Sequence, residues 1–312
     1  MNVLFVVLGV ALLYYGGELL VNNAVRLAGR LKISSLVIGL TVVAFGTSAP
    51  ELAATLAANV QGLPELALGN VVGSNIANVG LILGLTALLY PLQSGPTFVR
   101  RELPVMVGVS ALLVPLLWDG VVGRVEGALL LLLLGGYLFY LLKLEPDSVQ
   151  VDTPDQSPDG ALDETPLWRS LLFIALGVGL LVGGARLLVI GAAAIARAFG
   201  VPEAVIGLTL VAFGTSLPEL ASSVVAALRK ETDIIWGNIV GSNIFNVLAV
   251  VGVTALVTPV REPFGNVAPD LGVMLAFGVA LLPLMFIRNR LGRVGGGALL
   301  LAYLGYVAYL FV

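Results

Sequence analysis

Residues 37–53 (VIGLTVVAFGTSAPELA) and 205–221 (VIGLTLVAFGTSLPELA) are identical at 15 of 17 positions and stand 168 residues apart. The same offset carries 69–78 (GNVVGSNIAN) onto 237–246 (GNIVGSNIFN) with 8 of 10 identities, and aligns 3–89 and 103–142 with their counterparts without a gap. A constant offset over such a length means one structural unit written twice. The unit holds five apolar segments, at about 3–28, 34–59, 64–89, 102–118 and 121–143, and recurs over 169–312. Five is odd. If each segment crosses a bilayer, the second copy enters from the opposite face, and the halves are related by a pseudo-two-fold axis in the membrane plane.

Composition says that they do cross. The chain is 58% hydrophobic and 11% charged, against about 25% charged in a soluble domain, and several segments approach the roughly 20 residues that span a hydrocarbon core. The expected fold is therefore an all-α polytopic membrane protein of ten transmembrane helices in two inverted five-helix repeats, residues 1–143 and 169–312. Residues 1–10 carry no Lys or Arg, unlike a cleavable signal peptide, so the first segment reads as a permanent helix. Connections on the side of the N-terminus hold Arg124, Arg197 and Arg261, whereas those on the other side hold twelve basic residues, among them Arg26, Arg30, Lys32, Arg100, Arg101, Arg229 and Lys230. Basic loops stay cytoplasmic, so both termini are expected outside a cell (inner) membrane. The linker, 144–168, holds seven acids and four prolines and no basic residue before Arg169. It reads as a disordered cytoplasmic tether without the spacing of a calcium-binding loop.

With no Cys and no His, the chain lacks the usual ligands of zinc, copper and haem, and cation chemistry must use oxygen. Acids inside apolar helices cost about 2.5–3.5 kcal/mol each on insertion scales, so each needs a reason. Glu51 and Glu219 lie inside their segments, each after the string G-T-S-x-P, and repeat symmetry can bring them together. Two carboxylates suit a divalent cation. Pro50 and Pro218 have no N–H to offer the carbonyls of Gly46 and Gly214, which predicts a kink or break and freed backbone oxygen. Paired breaks at membrane depth point to a binding site. Thr47, Ser48, Thr215 and Ser216 add hydroxyls. Asn70, Ser74 and Asn78, spaced by four, place further neutral oxygens on one helical face, with Asn238, Ser242 and Asn246 as their mates. Small residues in such helices also serve close packing, and for Asn70 and Asn238 a hydrogen bond between helices is the competing role. Glu65 and Asp233 fall at helix starts, where the helix dipole accounts for them. Glu18 and Arg186 occupy matching positions with opposite charges. They are expected either to pair across the repeats or to reach separate polar surroundings.

These two paired strings resemble those of the cation/calcium exchanger superfamily, most closely its prokaryotic sodium/calcium exchangers, over the whole chain except the linker. The resemblance implies Ca²⁺ held by Glu51, Glu219 and the backbone carbonyls of Thr47 and Thr215. It implies Na⁺ held by the same glutamates with Ala44, Ser48, Ser74, Ala212, Ser216 and Ser242, and places Asn78 beside the central position. Relatives often carry Asp where Asn246 stands, and the potassium-dependent branch also has an acid there; Asn on both sides argues against potassium coupling.

The expected activity is alternating access in which Na⁺ and Ca²⁺ compete for the same carboxylates. The resemblance implies that the segments near 3–28 and 170–195 slide on the core. If three Na⁺ replace one Ca²⁺ the exchange moves charge, at about 2.3 kcal/mol per charge per 100 mV. A proton/calcium exchanger, in which both glutamates protonate, is the nearest rival. A channel fits paired broken helices less well. A serine hydrolase using Ser48 or Ser216 lacks an obvious base, so no enzyme activity and no cofactor are expected. Ca²⁺, Na⁺ and in the rival reading H⁺ are the partners, with lipid around a monomer and no nucleic acid.

Overall fold

The computed structural model describes residues 1–144, 166–201, 212–286 and 289–310; the acidic linker expectation and Arg288 fall outside them. The first repeat comprises α1 (Asn2–Leu31), α2 (Ser35–Thr47), α3 (Ala49–Val60), α4 (Pro64–Leu89), α5 (Pro96–Leu116) and α6 (Arg124–Leu144). In the second, α7 (Leu167–Ala198) is followed by a helical turn at Ala212–Gly214, then α8 (Leu217–Leu228), α9 (Thr232–Val257), α10 (Phe264–Phe286) and α11 (Arg293–Tyr309). Counting α2 with α3, and the 212–214 turn with α8, as single broken segments, the described residues form ten helical segments, five per repeat. Six described helices are long and apolar enough to cross a membrane, or seven with the bent α2–α3 pair. Two further segments fall short for visible reasons: α5 carries Arg100, Arg101 and Glu102 in its second turn, and α11 is 17 residues long. Leu132, Leu133 and Leu301 lie exposed on helix faces, as lipid-facing side chains do.

The inversion is written into the connections. Four two-residue strands, which the apolar pattern did not foretell, pair antiparallel between repeats: β1 (Leu92–Gln93) with β4 (Arg290–Leu291), and β2 (Val121–Val122) with β3 (Val260–Arg261). The loop before α5 thus meets the loop before α11, and the loop before α6 meets the loop before α10. Equivalent loops of the two repeats lie apart, and the pairing is exchanged between them. That is what an odd number of crossings per repeat requires.

Helices α4 and α9 form the buried centre, and α1 and α7 lie along one another at the side. At 1.5 Å per residue their 30 and 32 residues run to about 45 Å, longer than a hydrocarbon core of about 30 Å, so both must tilt or extend beyond it. Glycine lets them approach: a Cβ on Gly16 would sit 2.9 Å from the carbonyl oxygen of Gly177, and one on Gly9 2.8 Å from that of Gly184. In lipid, where burial of apolar surface drives little, such contact supplies much of the attraction between helices. Within each repeat, a carboxylate and a tyrosine tie the last two helices together, Tyr137 donating to Glu102 at 2.6 Å and Tyr306 to Asp270 at 2.8 Å.

The broken helices appear where the prolines predicted them. Helix α2 ends at Thr47 and α3 departs at 43°, with Ser48 at φ −83°, ψ 3° and Pro50 in the first turn of α3. Ser216 repeats this geometry at φ −86°, ψ 3° before Pro218. Helices α4 and α9 each widen into a π-helical stretch, Asn78–Leu83 and Asn246–Val251, a local unwinding often found at functional sites. Of the two outcomes considered for Glu18 and Arg186, pairing across the repeats does not occur. Glu18 accepts from Arg229 instead, with Nε at 3.0 Å and a second contact from the same guanidinium, because the end of α8 packs beside α1 there. Arg186 lines a cavity of about 210 Å³ with Pro50, Gly214 and Thr215.

Helices α2 and α9 cross at Gly39 and Gly237, where a Cβ on Gly237 would lie 2.6 Å from the Leu36 carbonyl oxygen and 2.7 Å from the Cα of Gly39. Overpacking of this kind costs about 1–3 kcal/mol. Gly237→Ala should therefore lower the midpoint of thermal unfolding in detergent. Gly135→Ala, with open space around it, should leave it level or raise it.

Candidate cation site

The two breaks put Ser48 and Ser216 at the junctions of their helices and Glu51 and Glu219 in the first turns of α3 and α8. Both carboxyl groups are fully buried, Glu51 at 0% and Glu219 at 1% exposure, with no Lys or Arg bonded to either among the described residues. They face one another's repeat. Ser48 donates to Glu219 Oε1 at 3.2 Å, and Ser216 donates to Glu51 Oε1 at 3.4 Å and to the Ser74 hydroxyl at 3.2 Å. Each carboxylate thus accepts a hydroxyl from the opposite half.

A second ring of exchanged bonds holds the breaks in place. Thr47 donates to Asn238 Oδ1 at 3.0 Å, and Thr215 to Asn70 Oδ1 at 3.2 Å. The amide of Asn70 in turn reaches Thr55 Oγ1 at 2.9 Å and the Glu51 carbonyl at 3.3 Å. That of Asn238 reaches Ser222 and Ser223, each at 3.1 Å, and the Glu219 carbonyl at 3.5 Å. Both ends of both amides are engaged, so Asn70 and Asn238 fill the competing role considered for them and bond helices together. Ala44 is buried and its carbonyl accepts from the Ser48 N–H at 3.0 Å. The matching turn differs, since the Ser216 N–H bonds to Phe213 at 3.2 Å, and only the backbone of Ala212 is described.

The decisive geometry lies in what is left over. Six buried side-chain oxygens in the described residues have no hydrogen-bond partner, and five belong to residues singled out above: Glu51 Oε2, Glu219 Oε2, Asn78 Oδ1, Asn246 Oδ1 and Ser242 Oγ. A buried polar atom without a partner is expensive, and a charged one more so. Four of the five are carboxyl or amide oxygens, the hard donors that Na⁺ and Ca²⁺ take. The set has two acids and no third Asp or Glu close enough to complete a larger acidic cluster among the described residues. The arrangement can hold cations with two negative charges and several neutral oxygens.

Sequence reasoning passed over Asn75 and Asn243. Asn78 donates to Asn243 Oδ1 and Asn246 donates to Asn75 Oδ1, both at 3.0 Å. Their signal was available, since both stand in the duplicated string G-S-N and both are polar within apolar helices.

Paired broken helices of inverted topology around an acid pair define a membrane carrier of cations. The chain belongs to the sodium/calcium exchanger protein family, whose profile matches residues 1–143 and 169–312, a family of exchangers and not of enzymes. It is 40% identical to the putative antiporter CaxA of Alkalimonas amylolytica, over 99% of this chain and 98% of that one. It is 32% identical to the sodium/calcium exchanger MaX1 of Methanosarcina acetivorans, over 99% and 98%. The fold superposes on the sodium-calcium exchanger NCX_Mj, soaked with 10 mM Na⁺ and zero Ca²⁺, with a TM-score of 0.84 at 32% identity, covering 98% of each chain.

Asn238→Ala would strip Thr47, Ser222 and Ser223 of a shared partner in the buried interior. Unmet bonds of this sort cost about 1–3 kcal/mol each, so the variant should unfold at lower temperature in detergent than the parent. The conservative Asn238→Gln should lose less.

Proposed function

We propose that the chain is a secondary antiporter exchanging Na⁺ for Ca²⁺ by alternating access, with Glu51 and Glu219 as the shared charged ligands. The observation that carries this reading is the group of buried oxygens without partners: two carboxylate and two amide oxygens from opposite repeats, in a protein whose family exchanges cations. Ser48, Ser74, Ser216 and Ser242 and the carbonyls of Ala44, Thr47, Ala212 and Thr215 complete the oxygen set, as the family resemblance implies. No Lys or Arg among the described residues is bonded to Glu51 or Glu219, so their charge in the membrane interior calls for a cation. A carrier that crosses only when that charge is met couples the two ions through competition. Ca²⁺ leaves the two carboxylates neutralised, whereas three Na⁺ leave a positive charge.

The excess of Lys and Arg in one set of loops supports a cytoplasmic location for the linker and an outside location for both termini. Protonation of the two carboxyls would satisfy part of the same oxygen set, so proton-coupled exchange is the reading to be separated. Purified protein in liposomes loaded with Na⁺ should take up Ca²⁺ when external Na⁺ is removed at equal pH on both sides, and an imposed membrane potential should change the rate. Glu51→Gln and Glu219→Gln each take one carboxylate away from the bound cation, and removing one partner of a buried charge pair costs about 3–5 kcal/mol. Each should therefore slow uptake by about 100-fold or more. Uptake that follows an imposed pH gradient and ignores Na⁺ would replace this reading with proton exchange.

A further inference from the structure

We infer that Met106 and Met274 act as positioning residues for the cation site, their thioether sulfurs fixing which end of each central amide faces the ions. This rests on the cation-exchange reading above and deepens it. The two methionines stand 168 residues apart, on α5 and α10, and are two of only four in the chain. Both are nearly fully buried.

The chain of contacts begins at sulfur. The Nδ2 of Asn243 points to Met106 Sδ at 3.3 Å, and that of Asn75 to Met274 Sδ at 3.7 Å. A thioether can accept a hydrogen bond, weakly, and can never donate one. An amide whose end abuts it must therefore present its NH₂ there, since the opposite orientation would set two acceptors together. With its nitrogen so placed, Asn243 turns Oδ1 to the Nδ2 of Asn78, and Asn75 turns Oδ1 to the Nδ2 of Asn246, both at 3.0 Å. The outer oxygens of Asn78 and Asn246 are then the ends left free, and these are among the buried oxygens with no partner. Each relay runs from an acceptor that cannot donate to an oxygen that a cation needs. If the first amide rotated, the last would offer a cation its N–H₂, which repels it.

The two relays are unequal. Asn75 Nδ2 also donates to the backbone carbonyl of Asn243 at 3.3 Å, so its orientation is held twice. Asn243 Nδ2 has Met106 alone among the described residues. Met106 should therefore matter more than Met274. The relay also ties the site to α5 and α10, which contribute none of the expected ligands.

The test compares proteins of nearly the same shape. In a Met285→Leu background, methionine is replaced during expression by norleucine, which lacks the sulfur, or by selenomethionine, which keeps an acceptor. Equilibrium ⁴⁵Ca²⁺ binding and its displacement by Na⁺ are measured on purified protein together with the thermal midpoint. Loss of one orienting bond is worth about a factor of five to ten. The norleucine protein should bind Ca²⁺ about five- to tenfold more weakly than the selenomethionine protein at an unchanged midpoint, and Met106→Leu should cost more than Met274→Leu. A carboxylate is an acceptor at both ends, so in Asn78→Asp the penalty for losing the Met106 sulfur should vanish. Equal Ca²⁺ affinity in the norleucine and selenomethionine proteins, or an equal loss in the Asn78→Asp background, would overturn the inference and leave the methionines as packing. If the parent protein binds neither Ca²⁺ nor Na⁺, the cation-exchange reading fails, and the inference with it.

Discussion

Two carboxylates buried at the junctions of broken helices, with no basic side chain bonded to them among the described residues, set the terms for the rest of this structure. Their charge in a medium of low polarity must be met by hydrogen bonds and by a counter-charge. The fold meets the first need with hydroxyls: Ser48 and Ser216 each donate across to the opposite glutamate. No fixed counter-charge is bonded to the two carboxylates among the described residues, as the proposed exchange of mobile cations requires. A fixed Arg or Lys in that place would neutralise the pair permanently and leave an exchanger nothing to exchange.

The hydroxyls are in reach because the helices break at the serines. Proline removes one N–H and forces the chain to turn, and the freed segment ends are gripped by Asn70 and Asn238 from the neighbouring helices. Inversion of the repeats makes these grips reciprocal, so each half completes the other's site. The exchanged strand pairs show the same reciprocity at the ends of the helices. A single repeat would offer one carboxylate, half of each amide relay and loops without their partners.

Symmetry is not carried through everywhere. Glu18 is bonded to Arg229, whereas its counterpart Arg186 faces a cavity beside Pro50 and Thr215. Matching positions of inverted repeats meet only near the axis that relates them; away from it they sit toward opposite ends of the molecule and meet different neighbours. Equal register therefore gave no ground for a contact between them.

Much of this was legible in the amino-acid sequence: the duplication, the odd number of apolar segments and hence the inversion, the breaks before Pro50 and Pro218, and the buried acids and hydroxyls that stand at those breaks. Those features depend on local rules, on what proline does to a helix and what a charge costs in an apolar run, and local rules survive without coordinates. Which amide bonds to which hydroxyl, that Arg229 and not Arg186 meets Glu18, and that Met106 stands against Asn243 were decided only by tertiary packing. Most of these contacts join residues far apart in the chain, and their choice depends on helix rotation and crossing. Periodicity constrains those only to a face, whereas a hydrogen bond is settled within a fraction of an ångström.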